Sequence, residues 1–222
     1  MKLRLTALAA ALLLGAASVT ACGDKKSSSS DVDMDTYKNG ESSASNDVAE
    51  DFKDVAPVSD QDGALLTISN TTAKAGETAE ITISVSNADY KWNMCGFHVT
   101  YPNVLTPQFF ERERRLLKYE PGHAIDYASG FVAMWWEENL PQELIDQNKG
   151  AFFITSIFDD DRGQDGDIVT LYFDVPADAE SGTVYNFDFY YQTDAVFSNA
   201  AKDPGYDKYV FEHWTGGTVT VE

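Results

Sequence analysis

The sequence predicts an all-β domain over residues 63–222, a sandwich or jelly roll with one or two short helical insertions. Three observations predict it. Strand-length runs alternate apolar and polar residues, Gly, Asn and Pro stand between them, and only two segments break that texture. Period-two alternation bounded by turn residues marks half-buried antiparallel strands, and many such strands in series pack as two sheets.

Taken in order, Leu66-Thr67-Ile68 opens the domain and runs into Asn70-Thr71-Thr72-Ala73-Lys74-Ala75-Gly76-Glu77. The next strand, Ala79–Val85, puts Ala79, Ile81, Ile83 and Val85 on one face. Cys95–Tyr101 follows and closes on Pro102-Asn103-Val104-Leu105. Gln108–Tyr119 breaks the pattern, because Phe109, Phe110, Leu116 and Leu117 have the spacing of a short amphipathic helix. Phe131–Trp136 is again a strand. Pro141–Asn148 predicts a second short helix, with Pro at the first helical position and Gly150 as the stop. Strands resume at Ala151–Phe158, Val169–Val175, Tyr185–Tyr191 and Gly216–Val221.

The N-terminal region has a different character. Lys2 and Arg4 precede an apolar run from Leu5 to Ala17, the pattern of an export signal over residues 1–21. That run is shorter than the roughly 20 apolar residues needed to span a bilayer. Val19-Thr20-Ala21-Cys22 resembles a bacterial lipobox, which implies cleavage before Cys22 and diacylation of its thiol. More than one acyl chain makes a stable membrane anchor where a single chain is marginal. The rival is an ordinary secretory signal followed by a chance cysteine. Residues 22–62 then read as lipidated cysteine plus a polar, acidic tether, opening with Lys25-Lys26-Ser27-Ser28-Ser29-Ser30. About 40 such residues span roughly 35 Å, and more with charge repulsion.

Composition excludes several functions. The formal charge is −20, which argues against nucleic acid or an anionic membrane surface as the domain's partner. The chain has two cysteines, so lipidation of Cys22 would leave Cys95 without a disulfide partner. Cys95 shares the apolar parity of its strand and reads as a small buried hydrophobe. His98, His123 and His213 are isolated, without metal-ligand spacing. Asp159–Asp167 hints at calcium, but Gly163 and Tyr172 stand where an EF-hand needs ligands. No nucleophile elbow, P-loop or dinucleotide fingerprint is present. No metal site, cofactor or catalytic residue is expected.

The ordered set of strands resembles a cohesin, the receptor module that holds dockerin-bearing enzymes in cellulosomes. The resemblance rests on the opening strands around Gly76 and on Asp165-Gly166-Asp167 leading into Ile168–Pro176. It rests also on the turn Ala179-Glu180-Ser181-Gly182 and the ending Phe211-Glu212-His213-Trp214-Thr215-Gly216-Gly217-Thr218-Val219-Thr220-Val221. The long aromatic-rich segments between the fourth and sixth strands are more like ruminococcal than clostridial cohesins.

The resemblance implies a nine-stranded jelly-roll β-sandwich whose 8-3-6-5 sheet binds dockerin. It implies no catalysis, with calcium carried by the dockerin. On the third strand the exposed side would be Met94, Gly96, His98 and Thr100, and parity agrees, since Phe97, Val99 and Tyr101 are better core residues. On the eighth strand Asn186, Asp188 and Tyr190 would face out. On the sixth, Phe153, Thr155, Ile157 and Asp159 form the less apolar set. The fifth offers Met134 and Trp136, or alternatively Ala133 and Trp135. Better-known cohesins carry Asn and Asp where Met94 and Gly96 stand, so recognition here must differ. The implied role is a lipid-anchored receptor on the outer face of the cytoplasmic membrane of a Gram-positive cell, capturing a polysaccharide-degrading enzyme or a scaffoldin.

Two rivals remain. Trp135-Trp136-Glu137-Glu138 could serve a carbohydrate-binding module of jelly-roll fold, binding plant polysaccharide directly. Glu137 and Glu138 could also supply a glycosidase pair, although 36 acidic residues make chance pairs plentiful.

Overall fold

Alternation in the sequence becomes alternation in burial. In a computed structural model that describes residues 63–111, 113–136, 138–192, 195–201 and 213–222, β3 (Thr78–Ser86) buries Ala79, Ile81, Ile83 and Val85 and turns its Thr, Glu and Ser outward. Residues 1–62, on which the expected export signal, Cys22 and the expected tether fall, lie outside the described residues, as does Glu137.

Fifteen strands form among the described residues. Around β3 are β1 (Leu65–Ile68), β11 (Gly166–Asp174), β14 (Trp214–Thr215) and the short β5 (Thr106–Pro107) and β8 (Tyr119–Pro121). They make a sheet of order β14-β1-β3-β11, with β5 and β8 on the far edge of β11. The second sheet contains β2 (Asn70–Ala73), β4 (Met94–Pro102), β6 (Phe109–Phe110) and β7 (Glu113–Leu117). It also holds β9 (Gly130–Trp136), β10 (Lys149–Ile157), β12 (Val184–Tyr190), β13 (Val196–Ser198) and β15 (Gly217–Val221). Its order is β2-β15-β12-β4-β10-β9-β7-β6, with β13 sharing an edge of β4 with β12.

The count exceeds nine for two reasons. The first and last strands each switch sheets, at Ser69 and Gly216, so β1/β14 and β2/β15 pair in parallel in the two sheets. Gly217 permits this close crossing, because a β-carbon there would sit 2.3 Å from the Ser69 carbonyl. The remaining extra strands are short pieces at edges.

The two sheets share one core. Phe173 of the first sheet meets Tyr101 and Phe187 of the second, each at a ring-centroid distance of 5.0 Å. A second aromatic group, Trp92 with Phe158 and Phe197, closes another part of it at 5.0 and 5.1 Å. The expected sandwich is therefore present, with a buried interior drawn from the alternate residues of both sheets.

Two local expectations require correction. Gln108–Tyr119 is no helix; Phe109 pairs with Leu117 across β6 and β7, and Leu116 pairs with Met134 of β9. Adjacent apolar pairs fit a helix stripe or the two faces of a strand equally well, and tertiary partners decided it. Phe109 packs edge-on against Trp135 at 5.4 Å, while Leu117 is buried. The second helix does form, as α1 (Gln142–Asp146), but Pro141 is its N-cap rather than its first residue. Asn148, at φ +54°, makes the following turn. Gly150 is not the stop. It lies within β10, where a β-carbon would meet the Tyr101 ring at 2.5 Å.

Candidate functional site

β4 lies at the centre of the larger sheet, between β10 on one side and β12 and β13 on the other. Its odd residues Cys95, Phe97, Val99 and Tyr101 enter the core, so its even residues face out, as period two demands. Cross-strand register then builds the outer face in rows. Met94 lies opposite Ile157 and Ser198, and Ile157 opposite Gly130. Gly96 lies between Val196 and Thr155, with Val132 beyond. His98 lies between Tyr190 and Phe153, with Met134 beyond, and Thr100 between Asp188 and Ala151, with Trp136 beyond.

The predicted residues Met94, Gly96, His98, Thr100, Trp136, Phe153, Thr155, Ile157, Asp188 and Tyr190 thus share one face. Asn186 continues that face on β12, exposed and opposite Thr218 of β15. Asp159 lies beyond the end of β10, in the following turn, and accepts a hydrogen bond from the Ser129 hydroxyl at 2.9 Å. On β9 the register selects Met134 and Trp136 for the outside, with Ala133 and Trp135 inside.

The face is graded from open to closed. Ile157 is 52% and Met134 40% exposed, whereas His98, Thr100 and Ala151 are buried. His98 is held between Trp136 and Phe153, at centroid distances of 4.5 and 4.7 Å. Phe153 and Val196 lean over Gly96, where an added β-carbon would touch both. Past His98, α1 packs against β10. Leu144 of α1 is buried although it belongs to no part of the main core. The Tyr190 hydroxyl donates to Glu143 Oε1 at 2.5 Å, and burial together with this carboxylate pushes the phenol pKa up. Burial also raises the Asp188 carboxyl above the usual range, opposed by the Phe189 N–H and by Lys149.

Sequence reasoning placed the α1 helix but not its position over this face. It also missed Val132 and Val196; the short Ala195-Val196-Phe197 run was the available signal for the latter.

Other candidate chemistry is engaged in the fold. Trp135 points inward and donates its indole N–H to Tyr101 Oη at 3.0 Å, so Trp135 and Trp136 do not form one platform. Burial pushes the Tyr101 hydroxyl up to about 12. Beside α1 an apolar cleft of about 470 Å³ is lined by Tyr101, Leu105, Phe109, both indoles and Ile145. In the Asp159–Asp167 turn, Asp161 accepts the Ala200 N–H at 2.6 Å, and Asp165 accepts those of Asn87 and Ala88 at 3.1 and 2.7 Å. These carboxylates tie loops together. Among the described residues no group of three His, Cys, Asp or Glu side chains is placed to hold a metal ion. Among the same residues no helix is long and apolar enough to cross a membrane.

No family model and no curated protein sequence matches the chain. Solved structures do. A type III cohesin module from the cellulosomal ScaE cell-surface anchoring scaffoldin of Ruminococcus flavefaciens matches with a TM-score of 0.60 at 21% identity, covering 76% of this chain and 98% of that one. The OlpA cohesin of Clostridium thermocellum, solved in a type I cohesin–dockerin complex, matches at 0.51 and 13% identity, covering 72% and 99%. The third cohesin of ScaC from Acetivibrio cellulolyticus, solved with the ScaB dockerin, matches at 0.51 and 21% identity, covering 71% and 98%. The likeness spans nearly the whole of each module, and the chain has the cohesin fold.

Proposed function

We propose that this chain is a cohesin, a non-catalytic receptor that binds a dockerin-bearing protein through the outer face of its larger sheet. The observation that carries the reading is that face itself. In a domain of cohesin fold, side chains from β4, β9, β10, β12 and β13 form a continuous surface with an aromatic and aliphatic centre. Such a centre with a polar rim is the anatomy of a protein interface. Aromatic anchors such as Trp136 and Tyr190 suit it. Cohesin structures of similar fold have been solved with dockerins bound.

The reading extends to the cell surface. Lipidation at Cys22 would anchor the chain to the outer face of the cytoplasmic membrane of a Gram-positive cell. The tether of residues 22–62 would then lift the domain from the headgroups. The partner would be a polysaccharide-degrading enzyme or a scaffoldin, with calcium bound by its dockerin.

Calorimetric titration of the full chain against dockerins from the same genome tests this, with calcium and then EGTA, and with xylan and cellulose oligomers as controls. One-to-one binding abolished by EGTA is the expected result. Heat with the oligosaccharides and none with any dockerin would overturn it in favour of direct polysaccharide binding.

A further inference from the structure

The apolar cleft beside α1 lies where β4 ends and β10 begins, and it shares only Trp136 with the predicted partner-binding residues. Its lining includes buried Tyr101, Leu105 and Pro107, with half-buried Phe109, Trp135 and Trp136 around them. The Asn103 N–H donates to the Asn148 carbonyl at 2.9 Å, which ties together the two loops that border the cleft. Its volume of about 470 Å³ is that of a small-molecule site.

Two polar features define what would fill it. The Tyr101 hydroxyl, on a side chain only 3% exposed, accepts the Trp135 indole N–H at 3.0 Å, but its own O–H meets no acceptor among the described residues. With its pKa pushed up to about 12 by burial, the phenol keeps that proton at neutral pH. The second feature is charge. The chain has 36 acidic residues, yet among the described residues no acidic side chain lines the cleft, whereas Lys149 does. Lys149 makes no ion pair among the same residues. We propose that this cleft binds a small aromatic carboxylate, its ring set among Phe109, Trp135 and Trp136, with the Tyr101 hydroxyl donating to an oxygen of the ligand and Lys149 supplying the countercharge. Aromatic walls favour a ring, which meets them edge-on or offset. A cation would find no carboxylate here. A neutral sugar carries more hydroxyls than so apolar a lining can satisfy, and an unsatisfied hydroxyl is costly to bury.

Titration of the full chain with trans-cinnamate, followed by NMR at the indole N–H signals of its four tryptophans, tests this. The Trp135 and Trp136 signals should shift saturably, while those of Trp92 and Trp214, packed in other parts of the core, stay fixed. A ligand of this size should bind with a Kd on the order of 0.1–1 mM. Cinnamamide, of the same shape but uncharged, should bind about tenfold more weakly. Tyr101→Phe should weaken cinnamate about tenfold, but it also strips the Trp135 N–H of its acceptor. Lys149→Gln and Ile145→Asp, at half-buried and exposed positions, carry no such cost to folding. Each should weaken cinnamate about threefold, and Lys149→Gln should leave cinnamamide unchanged. The absence of any saturable shift at the two indoles would overturn the proposal. Equal binding of cinnamamide or of octanoate would overturn it too, in favour of a merely apolar site, as would shifts with xylo-oligosaccharides in place of cinnamate, in favour of a sugar site. Dockerin binding enters none of these measurements, so the cohesin reading stands or falls separately.

Discussion

Trp92 fills the space that a side chain at position 163 would need: a β-carbon on Gly163 would lie 2.1 Å from the buried indole. Gly163→Ala should therefore cost at least about 2 kcal/mol, read as a lowered urea midpoint, because a packed core resists added volume. Gly182 is the contrast. It has open space around it but a φ of +86°, so Gly182→Ala should cost only about 1 kcal/mol of backbone strain. Cys95 makes a different prediction. Burial pushes its thiol up to about 11 despite its contact with Ser156, so peptide mapping after iodoacetamide treatment at pH 8 should find Cys95 unlabelled until the chain is unfolded. Asp188 predicts a pH dependence. Its folded pKa is raised, so the folded state holds a proton that the unfolded state releases first. Its contribution is fully present below the unfolded pKa and is lost as pH rises through the folded one. The stability of the wild type relative to Asp188→Asn should accordingly rise as pH is lowered from neutral to below the ordinary carboxylate pKa. Residue parity was the most legible level of the sequence. Phe97, Val99 and Tyr101 fixed which residues of β4 could face out, because a strand permits only two choices. Gly150 was not legible, since the Tyr101 ring it accommodates comes from another strand.

Elements were legible where one periodicity stood alone. β3, β11 and β12 follow their alternation, whereas Phe109-Phe110 and Leu116-Leu117 are compatible with either period. The long-range pairing of Phe109 with Leu117 and of Leu116 with Met134 settled the matter in favour of strands, and no local signal announces such partners. For α1, the helix was legible from Pro141 and its spacing, but its docking on the outer face was not. That docking is a tertiary fact, held by Leu144 and the Tyr190–Glu143 hydrogen bond. A five-residue helix has little stability of its own, so its order depends on those contacts. Leu144→Ala should accelerate hydrogen exchange across residues 141–148 by about tenfold. Amides in the centres of β4 and β10 should keep wild-type protection. Equal acceleration of both would mean that α1 is part of the global cooperative unit rather than a local cover.

At the scale of the whole molecule, the fold was legible because every long strand carries its own signal and the turns between them are marked. The outer face of the larger sheet was legible only as parity. Its division into a covered and an open half depends on α1, and its aromatic cluster depends on register across four strands. A chain with a formal charge of −20 should also attract a basic partner surface, with association slowing as salt rises. The central claim is that the outer face of the larger sheet is where the partner binds. Methyl-resolved NMR of the chain during titration with a calcium-loaded dockerin tests it most directly. The signals of Met94, Val132, Met134, Ile157 and Val196 should move, while those of Ile81, Ile83 and Val85 in the opposing sheet stay fixed. Shifts confined to the opposing sheet, or to exposed Val104 in the loop after β4, would contradict the account.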